Sequence, residues 1–97
     1  MLTYILLANF TEQGIHNVKD TVKRVRAFKE LAKSLGANVR EVYWVLGQYD
    51  TINILDVPDE ATAVAVALSL GELGNVRLQT LRAFSESEVD NILSKVS

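Results

Sequence analysis

Gly47-Gln48-Tyr49-Asp50 stands at the middle of the chain, between two runs rich in β-branched and aromatic residues. The runs extend from Val39 to Leu46 and from Thr51 to Val57. Glycine accepts the positive φ of a turn, and an aspartate side chain can hydrogen-bond to turn backbone. The tetrapeptide therefore predicts a tight turn between two strands, which joins the two halves of the chain.

The first half of the chain opens with a strand over residues 2 to 10 that is apolar on both faces. Leu2, Tyr4 and Leu6 alternate with Ile5 and Leu7. A strand with two apolar faces is covered on both sides. We expect one face to meet this domain's helices and the other to meet a second subunit.

Three helices are predicted, at residues 15–35, 59–72 and 85–95. The first follows from apolar residues at helical spacing, and Gly36 is placed to end it in a left-handed conformation. Its apolar residues are Val18, Val22, Val25, Phe28, Leu31, Ala32 and Leu35. Pro58-Asp59 begins the second helix, which has almost no polar face, so it should be buried all round or contact another chain. Ser85-Glu86-Ser87-Glu88 has the pattern of a capping box.

With a fourth strand over residues 75–84, the element order is βαββαβ plus a terminal helix. This is the split βαβ arrangement of ferredoxin-like α+β domains. Right-handed crossovers then predict an antiparallel sheet in the order 4-1-3-2, with both long helices on one face. We expect one domain over residues 1–97.

Composition bears on the partners of this domain. Forty-eight per cent of the 97 residues are hydrophobic, and the mean hydropathy of +0.13 is high for a small fold, so we expect a homo-oligomer, at least a dimer. The net charge of -2 argues against nucleic acid as a partner. The basic residues of the first helix are interpreted as its solvated outer face, with an anion-binding patch as the alternative. They are Lys19, Lys23, Arg24, Arg26, Lys29 and Lys33.

Location is predicted from what the sequence lacks. There is no cysteine, no basic leader before Leu2-Thr3-Tyr4 and no apolar run of membrane-spanning length, so we expect a cytoplasmic protein without a membrane partner.

The sequence resembles the GYD-domain family, named for a Gly, Tyr and Asp that match Gly47, Tyr49 and Asp50. Other stretches like that family's are Phe10-Thr11-Glu12-Gln13-Gly14, Leu73-Gly74-Asn75-Val76-Arg77 and Thr80-Leu81-Arg82-Ala83-Phe84. The resemblance covers nearly the whole chain. It implies the fold of dimeric α+β barrels, in which two such sheets pack face to face, and it supplies no reaction.

The predicted sheet order brings three segments to one edge, namely residues 11–16, 47–50 and 73–77. Polar side chains and glycine-bearing loops meet an apolar interior there, which is typical of a ligand site. The candidate ligand-binding residues are His16, Tyr49, Asp50, Asn75 and Arg77. Structural interpretations compete: Tyr49 as a lid on the core, Asp50 as a turn acceptor and His16 as a solvated residue at a helix start. Asn53, alone among apolar neighbours, is interpreted as a satisfied structural amide or as part of a cavity wall.

Two function classes stay open. The favoured one is a small-molecule binding or regulatory module with an apolar pocket between sheet and helices and no cofactor. The alternative is a small cofactor-free enzyme that uses Tyr49, Asp50 and His16 for acid-base chemistry. His16 is the only histidine, which excludes a multi-histidine metal site within one chain, so no metal is expected.

Overall fold

The computed structural model describes residues 1–97. In chain order its elements are β1 (Leu2–Phe10), α1 (Glu12–His16), a 3₁₀ turn (Val18–Asp20), α2 (Thr21–Ser34), β2 (Asn38–Trp44), β3 (Thr51–Val57), α3 (Glu60–Glu72), β4 (Val76–Ala83) and α4 (Glu86–Leu93).

The four strands form one antiparallel sheet in the order β2-β3-β1-β4, which confirms the predicted order and the ferredoxin-like α+β fold. Strand β1 lies inside the sheet, with Leu6 opposite Asn53 on one side and opposite Thr80 on the other. Strand β2 is an edge strand, as predicted, and an irregularity between Val39 and Glu41 shifts its register.

The core lies on the helix side of the sheet. Strand β3 shows why, because its residues alternate between buried and half-buried along its whole length. Its buried residues and those of β1 pack against small and aromatic side chains of α2 and α3. The core residues are Tyr4, Leu6, Phe28, Ala32, Ala37, Leu55, Val57, Ala63 and Val66. Both long helices therefore cover one sheet face, as predicted, and the other face carries no element of this chain.

The predicted helix over residues 15–35 is wrong at its start, since the chain forms α1, a 3₁₀ turn and only then α2. Asn17 leaves helical geometry at φ −106° and ψ 28°. The break has a tertiary cause: α1 is packed against the start of β4, where a Cβ at Gly14 would lie 2.0 Å from the Asn75 carbonyl oxygen. The chain must turn at Asn17 for α2 to return across the sheet.

The remaining helix signals are confirmed. Gly36 ends the α2 region at φ 89°, and Ser85 and Glu88 form the capping box at the start of α4. Helix α3 buries one side through Ala63 and Val66, but its opposite side is open, with Leu68 68% exposed. Helix α4 leaves its apolar residues exposed as well.

Candidate functional site

The loop between β2 and β3 is tied to the end of β1 by Asp50. The Asp50 N–H donates to the Ala8 carbonyl oxygen at 2.9 Å, and its carboxylate Oδ2 accepts from the Phe10 N–H at 2.9 Å. The Asp50 carbonyl in turn accepts from the Val45 N–H at 2.9 Å and closes the loop. The backbone and the side chain of Asp50 thus both hold the loop against β1.

A second junction joins the end of β1 to the start of β4 through Thr11. Its N–H donates to the Asn75 carbonyl oxygen at 3.0 Å, and its hydroxyl donates to the Gly74 carbonyl oxygen at 2.6 Å. Gln13 adds bonds from its amide Nε2 to Leu73 O and Asn75 Oδ1, both at 3.0 Å. The three segments predicted to meet at one sheet edge do meet, through these two junctions.

Tyr49 lies toward the sheet face that bears no helix. Its hydroxyl donates to Oε1 of Gln79, and Gln79 stands opposite Leu7 on that face. Beside it, Nδ2 of Asn9 donates to the Gln48 carbonyl oxygen at 2.7 Å. The loop therefore folds over one end of the uncovered face.

The five predicted site residues surround the end of the sheet on different sides. Asp50 and Asn75 lie in the two junctions, while Tyr49 and Arg77, which is opposite Asn9, belong to the uncovered face. His16 is exposed in the last turn of α1, with no hydrogen bond or ion pair to the other four. The structure places the five near one edge and assembles no His-Asp-Tyr constellation; their role as ligand contacts stays a prediction.

A cavity of about 110 Å³ lies beside this edge, between the sheet and the helices. Eight of its 13 lining residues are hydrophobic, and the polar ones include Thr51, Asn53 and Asn75. Asn53 donates to Leu6 O at 3.1 Å and to Thr51 Oγ1 at 3.3 Å. It is both a hydrogen-bonded structural amide and a cavity residue, so both interpretations hold.

Thr21 and Arg24 line the same cavity and were missed from sequence. The interpretation of Arg24 as part of the outer face is wrong, because it is half-buried and donates to the carbonyls of Asn17 at 2.7 Å and Gly14 at 3.1 Å. A signal was present: both residues stand at helical spacing from the core residue Phe28, on the same face of α2.

No three His, Cys, Asp or Glu side chains lie close enough together to hold a metal ion. None of the helices is long and apolar enough to cross a membrane.

The fold and this edge define a class: a ferredoxin-like α+β domain in which loops meet at one end of an antiparallel sheet and one sheet face is uncovered. The family model "GYD domain" matches residues 4–93. The chain belongs to the GYD domain family.

One curated relative and one solved structure that resemble this chain come from Thermus thermophilus. One is named "Glutamine synthetase and cystathionine beta-lyase binding protein" and is 31% identical over 90 residues, which cover 92% of this chain and 95% of the relative. The crystal structure of TTHA0845 is 29% identical, with a TM-score of 0.58 over 88% of this chain and 95% of that one.

A third likeness concerns the fold alone. MtbAldR shares 14% identity at a TM-score of 0.68, and the match covers 88% of this chain and 52% of that one.

Proposed function

We propose that this chain is a small oligomeric binding or regulatory module, and that its uncovered sheet face pairs with a second copy of itself. The observation that carries the proposal is the composition of that face. At its centre stand aliphatic side chains from three adjacent strands, and no element of the chain packs on them. They are Ile5, Leu7, Ile52, Ile54 and Leu81.

The size of the face supports an interface. Four strands about 4.8 Å apart and seven residues rising about 3.3 Å each span on the order of 450 Å² of flat area. A contiguous apolar patch of a few hundred Å² is already large for a monomer. A standard interface removes about 800 Å² of accessible surface from each partner. Protruding side chains expose more than the flat area, so the face supplies most of that requirement.

The charges on the face favour a like partner. Arg40 and Asp56 form an ion pair at 2.9 Å near one end of the face, and Tyr49 and Gln79 bond to each other at the other end. Because these groups are already paired within one chain, two identical faces can approach without separating them. The unpaired charges of the face, Glu41 and Arg77, are exposed and stand on the two edge strands, β2 and β4, where they can stay in water at the rim of a contact. A two-fold axis through the face would then give a self-complementary contact.

The Thermus relative supports a role in binding. Its name records binding to two enzymes, glutamine synthetase and cystathionine beta-lyase, and for the present chain we infer only the general role of a module that associates with proteins and regulates them. A small-molecule ligand is a separate step, which rests on the cavity beside Asn53.

Light scattering at micromolar concentration tests the pairing. The parent should give twice the chain mass of 10.8 kDa, and Leu81→Arg should give a monomer, because an arginine in the face leaves a charge uncompensated at the interface. Leu68→Arg is the matched control, since Leu68 is an exposed leucine on α3. It should remain a dimer.

Circular dichroism should first show both variants folded. A monomeric parent would refute the pairing. Dissociation by Leu68→Arg with no effect of Leu81→Arg would place the interface on α3 instead.

A further inference from the structure

The cavity beside Asn53 lies on the helix side of the sheet, away from the face proposed for pairing. Its wall is made by residues of β1, β3, β4, α2 and α3, and its volume is about 110 Å³. Apolar side chains such as Phe10, Phe28, Leu70 and Val76 form most of that wall. An enclosed apolar cavity of roughly 150 Å³ accommodates benzene. This space is smaller but partly open to solvent, so it can take at most about one ring or a short branched chain.

One wall of the cavity carries a buried hydrogen-bond acceptor without a donor. Asn53 is 4% exposed, and its Nδ2 is used by Leu6 O and Thr51 Oγ1. Its Oδ1 accepts no hydrogen bond from the protein. The amide cannot simply be reversed, since that would set Oδ1 against the Leu6 carbonyl, which is also an acceptor.

The free Oδ1 of Asn53 is open to the cavity. Every side-chain polar atom that is fully enclosed in this protein has a hydrogen-bond partner. An unpartnered oxygen on a residue this deeply buried therefore borders accessible space, and the space that Asn53 lines is the cavity. An acceptor that no protein donor satisfies, at the wall of a mostly apolar space, is a natural anchor for a ligand's hydrogen-bond donor.

Thr51 supplies the complementary group. It is 6% exposed and lines the same cavity. Its hydroxyl accepts from Asn53 at 3.3 Å and donates to no protein acceptor, so its proton is available. A ligand hydroxyl can satisfy both residues at once, because it donates to Asn53 Oδ1 and accepts from the Thr51 hydroxyl.

One charged residue lines the cavity. Arg24 is its only ionisable lining residue, and the guanidinium already donates to two backbone carbonyls. The unpartnered Oδ1 of Asn53 decides the ligand's charge state, because it needs a donor: a neutral hydroxyl group can donate to it, whereas an anion without a proton cannot.

We propose that this cavity binds a small neutral molecule with one hydroxyl group, of the size of phenol, held by Asn53 and Thr51. This goes beyond the proposed role of the sheet face and does not depend on it, because the two surfaces lie on opposite sides of the sheet.

Titration with phenol, followed by ¹⁵N-resolved NMR, tests the proposal. The side-chain amide resonances of Asn53 should shift and saturate at millimolar phenol or below. Benzene, which has the same ring and no hydroxyl, should bind about five- to tenfold more weakly, the ratio expected for one hydrogen bond of roughly 1 kcal/mol.

Thr51→Val removes the hydroxyl at nearly constant shape. The substitution should weaken phenol binding by about five- to tenfold and leave the affinity for benzene unchanged. Thr80→Val is the matched control, because Thr80 is a β4 threonine outside this cavity. Its phenol affinity should equal that of the parent.

The proposal would be overturned if the Asn53 resonances showed no saturable shift up to about 10 mM phenol, roughly the weakest binding that two hydrogen bonds and a ring should give. Equal affinity for phenol and benzene would also overturn it. So would a Thr51→Val variant that binds phenol as tightly as the parent. The monomeric Leu81→Arg variant should bind phenol like the parent, so failure of the dimer and failure of the ligand site give different results.

Discussion

Asp50 bonds to two residues of β1, through its N–H to Ala8 and through its carboxylate to the Phe10 N–H. At the scale of single residues this makes it a structural acceptor, whatever further role it has. Asp50→Ala should lower the free energy of unfolding by about 1–3 kcal/mol, because the Phe10 N–H loses its partner. Asp50→Asn should lower the free energy of unfolding by less, since an amide oxygen can accept the same hydrogen bond.

Urea unfolding measures this difference. If Asp50→Ala unfolds at the same urea concentration as the parent, the bond to Phe10 contributes nothing to stability, and the carboxylate would be free to act on a ligand. A urea midpoint that is lowest for Asp50→Ala, intermediate for Asp50→Asn and highest for the parent supports the structural role.

Gly14 and Gly71 provide a matched pair at the same scale. A Cβ at Gly14 would lie 2.0 Å from Asn75 O and 2.9 Å from Asn75 C, both backbone atoms that cannot move aside cheaply. Gly14→Ala should therefore lower the free energy of unfolding by about 1–3 kcal/mol. At Gly71, inside α3, nothing lies within 4 Å, and Gly71→Ala should raise it by about 0.5–1 kcal/mol.

Thermal and urea unfolding of both variants check this pair. A Gly14→Ala variant as stable as the parent would mean that α1 does not pack against β4 as closely as described.

At the scale of elements, the Glu88 carboxylate stabilises the start of α4. The Ser85 N–H donates to Glu88 Oε1 at 3.0 Å, and Arg82 donates to Oε2 at 2.9 Å. These bonds, that of Ser85 first, hold the pKa of Glu88 below its ordinary value of 4.5. At the start of α3, the N–H and the side chain of Thr62 similarly hold the pKa of Asp59 below 3.8.

The sign of the pH effect follows from these depressed pKa values. A carboxyl whose pKa is lower in the folded state stabilises fully above the unfolded value and loses that contribution as pH falls through the folded value. Helix α4 should therefore fray as pH falls below about 4.5, and amide hydrogen exchange at residues 86–93 should report it.

Glu88→Gln keeps an acceptor for the Ser85 N–H but cannot be protonated in this range. Its α4 exchange should depend much less on pH than that of the parent, once the intrinsic pH dependence of exchange is subtracted. An equal pH dependence in both proteins would show that Glu88 does not govern this helix end.

At the scale of the whole molecule, several large apolar side chains are exposed, among them Leu46, Leu68 and Phe84. The body is flat, with extents of 51 × 31 × 18 Å. Thermal unfolding at several protein concentrations provides a second test of the proposed dimer. Since only the folded pair associates, a tenfold rise in concentration adds about 1.4 kcal/mol per mole of dimer, and Tm should rise with concentration for the parent but not for Leu81→Arg.

The sequence by itself determined the element order, the sheet order and the sheet edge where three loops meet. These follow from local chemistry: period-two alternation in β1 and β3, helical spacing in α2, a glycine at positive φ after it and a capping box before α4. The two apolar faces of β1 also predicted that the helices of this chain cover only one of them; that a second subunit covers the other stays a prediction. The family resemblance at Gly47, Tyr49 and Asp50 supported the predicted fold but identified no reaction or ligand.

Tertiary structure alone decided where the helix over residues 15–35 breaks, and which side chains share the cavity. The helical period continues through Asn17, so no local pattern reveals that α1 must stop there; the cause is Asn75, some sixty residues away, against which Gly14 packs. Arg24 likewise resembles any other surface charge until the carbonyls of Gly14 and Asn17 are brought to it. Asn53 and Thr51 become a candidate ligand anchor only once α2 and α3 cover the space beside them. Such contacts depend on the distance between elements, which side-chain packing sets and sequence period does not.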